Sequence, residues 1–169
     1  HIKIQDIADF VSSVIQNESG QTSKEFNLKA DKPEGKNKYI EVSVLPLVNE
    51  KKIKGTIIMI ADITEKRIEE IKNKILNALE EVIDPELGID IVNLGLVYEI
   101  HFDGETGATI IDMTLTTMGC ALADLLTDQI HDVLAEVEEV TSVDVKLVWY
   151  PAWTVEKMSR YARIALGIS

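Results

Sequence analysis

Residues 94–116, LGLVYEIHFDGETGATIIDMTLT, decide the fold of the second half of the chain. They predict two strands, residues 94–102 and 108–116, joined by a glycine-containing hairpin turn at residues 103–107. Polar and apolar residues alternate along the second strand, which therefore has one face suited to a core. That face carries Ile111, Met113 and Leu115.

A helix and a further strand follow the hairpin. Residues 122–137 carry apolar residues at helical spacing, and residues 143–149 alternate valines with polar residues. Thr154 is positioned to cap a last helix, which we expect to stop at Gly167. A hairpin followed by a crossover helix and a returning strand predicts an α+β sandwich, α-β-β-α-β-α once the preceding helix is counted.

The first half of the chain predicts a smaller sheet. An amphipathic helix, Ile4–Ile15, precedes three strand candidates, residues 24–29, 39–48 and 55–63. The last of these is the most apolar, and we expect it to be the more buried strand. The composition changes near residue 65, which predicts two units, 1–67 and 68–169.

A helix is expected to join the two units. Thr64 is a candidate N-cap, and Pro85 should end the helix because a residue before proline avoids the α region. Apolar residues recur along it at steps of three and four: Ile68, Ile71, Ile75, Leu79 and Val82. This stripe predicts an ordinary core helix or, alternatively, a short coiled coil between subunits.

The charge of the chain limits its partners. The net charge is −12; residues 1–69 carry eleven basic and eleven acidic residues, whereas residues 70–169 carry six and eighteen. An acidic surface disfavours nucleic acid and anionic membranes as partners. No apolar run is long enough to span a bilayer and no secretory leader is evident, so we expect a cytoplasmic protein.

The single cysteine, Cys120, follows a predicted strand and directly precedes a predicted helix. The N–H groups and macrodipole of a helix N-terminus favour a thiolate, the form that binds metals and attacks electrophiles. Gly119 would let a ligand approach the backbone closely. The alternative is a small buried side chain, a common role for free cysteine.

Carboxylates gather in the loop after the joining helix. Asp84 and Glu86 flank Pro85, and Asp90 follows closely. Such residues can bind a metal or act as acid and base, although Asp-Pro pairs more often stop helices.

Histidines and tryptophans add weaker candidates. His101 and His131 lack ligand spacing and are interpreted as surface or structural residues. Trp149 and Trp153 flank a proline-containing segment, where they either anchor the last strand to the core or bind a partner protein.

Three runs carry a resemblance to a known family. ALEEVIDPELGIDIVNLGLVYEI (residues 78–100), DMTLTTMGC (112–120) and VWYPAWTVEKMSRYARIALGI (148–168) resemble, in that order, the SufT/PaaD-like metal–sulphur cluster assembly proteins. The resemblance covers residues 71–169. It implies a compact α/β fold, a non-enzymatic role in maturing iron–sulphur proteins, carrier or client proteins as partners, and a transiently bound iron–sulphur cluster.

The same resemblance implies the site. By motif, Cys120 matches the family's single reactive cysteine, and it is our candidate metal-binding residue. The supporting positions are Asp84, Glu86, Thr116, Met118 and Gly119. The family's cysteine is usually followed by proline, whereas this chain has Ala121, which leaves the backbone at the start of the helix less constrained.

Residues 1–67 resemble the C-terminal half of a PAS sensor domain of a histidine kinase. The resemblance rests on FNLK (residues 26–29) and YIEVSVLPLVNEKKIKGTIIMIADITEKR (39–67), which closes with Asp62-Ile63-Thr64 before a helix. The elements that wall a PAS pocket have no counterpart, so no PAS ligand is expected. The two resemblances imply a fusion, natural or engineered, whose exposed sheet edge a homodimer could cover.

The sequence therefore supports three hypotheses. The leading one, which the family resemblance implies, is an iron–sulphur cluster carrier or adaptor. One cysteine cannot supply the four thiolates that a cluster normally takes, so Cys120 would bind a cluster transiently, with the other ligands from elsewhere. The second is a PAS-derived sensory or dimerisation module without catalytic activity. The third is a cysteine enzyme, which would need a histidine beside Cys120.

Overall fold

The computed structural model describes residues 4–16, 20–28, 38–49, 52–117 and 120–168, with the side chains of Ile4, Cys120 and Ala121 outside the described set. The fold is mixed α+β. The chain divides into two compact units, His1–Arg67 and Ile68–Ser169. Each unit contains a three-stranded sheet.

The N-terminal unit is an antiparallel sheet with one helix packed against it. Its elements are α1 (Ile4–Gln16), β1 (Thr22–Leu28), β2 (Lys38–Asn49) and β3 (Lys52–Asp62), with the strands in the order β1-β2-β3. Alternate residues of the sheet face the helix and form a small core. That core contains Val14, Phe26, Ile40, Val42 and Val44, with Ile7, Phe10, Val11 and Leu28 packed on it.

Strand β3 is not the more buried strand that its apolar sequence predicts. Its residues Ile57, Ile58, Met59 and Ile60 are 43–63% exposed. Among the described residues β3 pairs with β2 alone, and the core of this unit draws on α1, β1 and β2. An apolar run indicates what a strand can bury, whereas burial also requires a layer packed over it. The prediction was therefore wrong for β3.

Asp62, at the end of β3, fixes the start of α2 (Thr64–Leu79). Its Oδ1 accepts hydrogen bonds from the Thr64 hydroxyl at 2.6 Å and from the Thr64 backbone N–H at 3.1 Å, and Lys38 Nζ lies 2.9 Å from Oδ2. These bonds lower the pKa of Asp62 from 3.8 to about 2. Thr64, predicted as the N-cap, is instead the first helical residue; its hydroxyl donates to Asp62 and accepts from the Tyr39 backbone N–H at 3.0 Å rather than capping the helix.

We expect Asp62 to make the stability of the N-terminal unit depend on acid pH. Because the pKa is lowered on folding, its contribution is complete above the ordinary value of 3.8 and is lost as the pH falls through about 2. Urea midpoints of the wild type and Asp62→Asn should therefore differ near neutral pH and converge across this interval. A difference that stays constant down to the lower limit would contradict this assignment.

The C-terminal unit has the predicted topology. Its elements are the greater part of α2, then β4 (Val97–Phe102), β5 (Ala108–Met113), α3 (Cys120–Leu134), β6 (Ser142–Leu147), a 3-10 turn (Val155–Lys157) and α4 (Arg160–Ala165). β4 and β5 form an antiparallel hairpin, and β6 returns after α3 to pair parallel with β5. No helix among the described residues is long and apolar enough to cross a bilayer.

The stripe on α2 is the centre of this unit's core. Ile71, Ile75 and Leu79 have no exposed surface, and Val82 is 1% exposed. They pack with apolar residues of the hairpin and α3, among them Ile111, Met113, Leu126 and Ile130. The core-helix prediction is confirmed, and the coiled-coil alternative was wrong because these side chains are already enclosed within one chain.

The end of α2 and the start of the last helix differ from the predictions. α2 ends at Leu79 rather than at Pro85. After it, hydrogen bonds that span three residues instead of four, such as the one from Val82 N–H to the Leu79 carbonyl, close the last turn. Thr154 precedes only a single 3-10 turn and makes no side-chain cap. The last helix is capped by Ser159, whose hydroxyl accepts from the Ala162 backbone N–H at 3.1 Å.

Candidate functional site

The acidic loop between α2 and β4 is closed by its own backbone. Ile83 and Asp90 form an antiparallel bridge. Asp84 N–H donates to the Ile89 carbonyl at 2.9 Å, and Gly88 N–H donates to the Asp84 carbonyl at 2.8 Å. Gly88 has a φ of 67°, in the region that favours glycine. The loop is therefore a tight turn that fixes the positions of its carboxylates.

Only one of the two carboxylate oxygens of Asp84 makes hydrogen bonds within this turn. Its Oδ1 accepts hydrogen bonds from the backbone N–H groups of Glu86 and Leu87, at 2.8 and 3.0 Å. The side chain has no exposed surface, and Oδ2 has no hydrogen-bond partner among the described residues. A buried carboxylate oxygen without a partner is costly. Oδ2 is therefore an acceptor available to a group that brings a proton or a positive charge.

Asp90 contrasts with Asp84. Its Oδ1 accepts from the Asn93 backbone N–H at 2.7 Å, and its Oδ2 accepts from the Asn93 side-chain amide at 2.8 Å. Both oxygens are occupied within the loop, so Asp90 has the turn-capping role that such residues commonly have.

The end of strand β5 approaches the acidic loop. Thr117 Oγ1 donates a hydrogen bond to Glu86 Oε2 at 3.3 Å. Thr116 Oγ1, one residue earlier, is buried and has no hydrogen-bond partner in the described part of the chain. The fold thus brings Glu86 to Thr117, and in these two segments one oxygen each of Asp84 and Thr116 is buried without a hydrogen-bond partner among the described residues.

Cys120 lies three residues after Thr117 and is the first residue of α3, a helix of 15 residues. Helix α3 therefore begins earlier than the predicted residue 122. Met118 and Gly119, the other predicted supporting positions, lie outside the described residues. The position of Cys120 at a helix N-terminus is the one that favours a thiolate.

Two of the three histidines of the chain, His101 and His131, lie in the described residues. His131 lies on the same helix as Cys120, eleven residues further on, which corresponds to about 16 Å along the axis. His101 lies on β4, where its Nε2 is 3.0 Å from Asp112 Oδ2. The side chain of Cys120 lies outside the described set, so the pairing that the cysteine-enzyme hypothesis needs stays a prediction.

The two tryptophans have different environments. Trp153 is half-buried, packs against the core and donates its Nε1 proton to the Leu94 carbonyl at 2.9 Å. Trp149 is 49% exposed. Trp153 therefore anchors the last segment to the unit, and Trp149 is the residue of the pair with more surface for a partner protein.

The hydrogen bond between Thr117 and Glu86 was not predicted from the sequence. This bond joins residues that are 31 positions apart. The only signal in the sequence is the adjacent pair Thr116-Thr117 between a strand and a helix. Such a pair is also common in ordinary turns, where hydroxyls bond locally.

Comparison with known proteins gives consistent matches. Residues 72–145 match the model of a family described as iron–sulphur cluster assembly protein. The Bacillus subtilis Fe-S protein maturation auxiliary factor YitW is 57% identical over 100 residues, covering 59% of this chain and 97% of that protein. The Staphylococcus aureus Fe-S protein maturation auxiliary factor SufT is 58% identical over 88 residues, covering 52% of this chain and 99% of that protein.

A solved structure also matches. The crystal structure of a domain of unknown function, DUF59, from Bacillus anthracis has 49% sequence identity and a TM-score of 0.56, and the match covers 60% of this chain and 95% of that chain.

Proposed function

Because this chain belongs to the iron–sulphur cluster assembly protein family, we propose that it is a non-enzymatic factor in the maturation of iron–sulphur proteins and that it acts as a cluster carrier. In this proposal Cys120 binds the metal of a transient cluster. The partners are the protein that supplies the cluster and the client protein that receives it.

One observation supports a carrier over an adaptor. Asp84 Oδ2 and Thr116 Oγ1 are buried without partners among the described residues, in the acidic loop and in the segment before α3, which the Thr117–Glu86 hydrogen bond joins. A surface that only docks two proteins gains nothing from unsatisfied buried atoms, which destabilise the fold. A site that receives a charged, proton-bearing or metal-bound cargo can use them.

The chemistry limits how the cargo is held. Iron–sulphur clusters normally take four thiolate ligands, and this chain has one cysteine. The remaining ligands must therefore come from a second subunit, a partner protein or a small thiol. Glu86, whose side chain accepts from Thr117, would orient the loop beside Cys120, and Asp84 Oδ2 would accept a hydrogen bond from a proton-bearing group of the cargo.

The N-terminal unit has a separate proposed role. We propose that residues 1–67 are a PAS-like half-unit without a bound ligand, joined to an iron–sulphur assembly domain at residues 68–169. Its antiparallel sheet and the exit from β3 into α2 support this proposal. The exposed apolar residues of β3 favour self-association, and a homodimer could supply a second Cys120 to a shared cluster.

Thr116→Val should separate function from stability. Valine has nearly the same shape as threonine and removes a buried hydroxyl without a partner, so the melting temperature should stay unchanged or rise. If the hydroxyl serves the cargo, cluster transfer should slow by at least about tenfold, the range seen when groups that support metal ligands are removed. Transfer is measured from a loaded [4Fe–4S] scaffold protein to an apo [4Fe–4S] dehydratase, as recovered dehydratase activity.

The matched control is Thr109→Val. Thr109 lies on β5 and is buried, and its hydroxyl donates to the carbonyl of Gly107, just before the start of that strand. This variant should keep wild-type transfer. Wild-type transfer by Thr116→Val would remove the Thr116 hydroxyl from the site, and a wild-type chain that does not accelerate transfer at all would overturn the carrier function.

A further inference from the structure

Three side chains of metal-binding type meet on one face of the C-terminal sheet, outside the site described above. Glu99 and His101 are two residues apart on β4 and so project to the same face. Asp112, on β5, lies directly opposite Glu99 in the ladder. The adjacent pair Ile100 and Ile111 belongs to the other face, where Ile111 is fully buried in the core.

The distances suit a common bound atom. His101 Nε2 lies 3.0 Å from Asp112 Oδ2 and 3.7 Å from Glu99 Oε2. One ligand atom from each of the three residues lies within 4.8 Å of the other two. Zinc holds nitrogen and oxygen ligands at about 2.0–2.2 Å, which places neighbouring ligands about 3.0–3.5 Å apart. The two His101 distances bracket this separation, so small side-chain rotations would bring all three atoms onto one cation.

The electrostatics favour a cation at this position. Two carboxylates directly opposite each other on paired strands repel. The chain from Glu70 onward carries eighteen acidic and six basic residues. Lys72 lines the hollows beside Glu99 and His101, but in the described part of the chain it makes no ion pair with either acid. A positive charge bound between the carboxylates would relieve their repulsion directly.

The site is also accessible. The side chains of Glu99, His101 and Asp112 are 64%, 47% and 24% exposed. Three protein ligands on an open surface leave further coordination positions for water, an arrangement that allows the ion to enter and leave. Imidazole with carboxylate is the ligand set of zinc, iron(II), manganese(II) and cobalt(II), whereas calcium and magnesium take oxygen alone.

We propose that Glu99, His101 and Asp112 bind one divalent transition-metal cation, exchangeably and independently of Cys120. The inference goes beyond the proposed carrier function, because it needs neither the cluster nor the acidic loop.

The test is a calorimetric titration with zinc chloride in a Cys120→Ser background, so that no thiolate can bind the ion. We expect about one zinc per chain. His101→Ala and Asp112→Asn should each weaken binding by at least about tenfold, since even loss of a group that supports a ligand has such an effect. His131→Ala is the matched control. This exposed histidine lies on α3 and belongs to no cluster of three potential metal ligands among the described residues, so its loss should leave the zinc affinity unchanged.

A second measurement identifies the ligands. Cobalt(II) added to the same background should give visible absorption bands of a nitrogen- and oxygen-bound ion, and these bands should disappear in His101→Ala. Circular dichroism of each variant should match the wild type, because all three side chains are on the surface. Zinc binding that survives both substitutions, that falls equally in His131→Ala, or that is absent from the parent chain would overturn the proposal.

Discussion

Cys120→Ser should abolish cluster transfer and leave the fold intact. Cys120 is the single cysteine of the chain, so no neighbouring thiol can replace it. A serine hydroxyl stays protonated near neutral pH and is a hard donor, whereas iron–sulphur clusters are bound by soft thiolates. Loss of a group that supports a metal ligand typically lowers metal affinity or activity by about 10–100-fold. Loss of the ligand itself should therefore reduce the rate of cluster transfer by more than about 100-fold.

Anaerobic reconstitution with iron and sulphide measures this effect directly. Visible absorption and iron content are compared for the wild type and Cys120→Ser, with melting temperatures as the check on folding. We expect cluster bands in the wild type and none in the variant, and the iron-to-protein ratio then shows whether two chains share one cluster.

Other outcomes would decide between the alternatives. Equal bands in the wild type and Cys120→Ser would mean adventitious binding and would contradict the ligand role of Cys120. Normal transfer by a serine variant that carries no cluster would replace the carrier with an adaptor. Both outcomes leave the zinc proposal at His101 untouched, because that test is made without sulphide and without the thiol.

The fold of the C-terminal unit could be predicted because its local patterns agree with its topology. Apolar and polar residues alternate along residues 108–113, and apolar residues recur every three or four positions along α2. Each pattern predicts one apolar face, and both faces pack in the same core. For β3 the same reasoning failed. Its apolar residues suit a core, but the helix of that unit packs over β1 and β2, and this choice depends on tertiary packing.

The candidate site could be predicted only in part for the same reason. Motif resemblance identified Asp84 and Thr116. It did not predict that each has a buried oxygen without a hydrogen-bond partner among the described residues, because this depends on how the loop closes and how the chain continues after β5. The cluster around His101 was also missed. It exists because the register of β4 against β5 places Glu99 opposite Asp112, and register is a property of the paired strands.

Gly95→Ala should cause the largest loss of stability of the substitutions considered. Gly95 has a φ of 71°, which costs a residue with a side chain about 1–2 kcal/mol. A Cβ placed there would also contact the Lys157 carbonyl oxygen far inside its van der Waals distance and lie 2.7 Å from the Lys157 carbonyl carbon. Because those atoms are backbone, the 3-10 turn must move, at a further cost of about 1–3 kcal/mol.

The displaced turn belongs to the segment that closes the C-terminal unit. Trp153, before Lys157, donates its Nε1 proton to the Leu94 carbonyl, and Ser159, after Lys157, donates its backbone N–H to the Asn93 carbonyl at 2.8 Å. Displacement of Lys157 would strain both contacts. We therefore expect the free energy of unfolding to fall by about 2–5 kcal/mol, the two costs together, against the roughly 5–15 kcal/mol by which a typical domain is stable.

Gly167→Ala separates the two causes. Gly167 has a nearly identical φ of 70°, but a Cβ added there would have no neighbour within 4 Å. Its free energy of unfolding should fall only by the cost of the left-handed backbone conformation for alanine, about 1–2 kcal/mol. Both variants are compared with the wild type by urea unfolding followed by tryptophan fluorescence, which reports on Trp149 and Trp153. Equal losses in the two variants would show that the conformation of glycine, and not the approach of Lys157, sets the requirement at Gly95. A larger loss at Gly95 would show that docking of the last segment against this loop is what the glycine preserves.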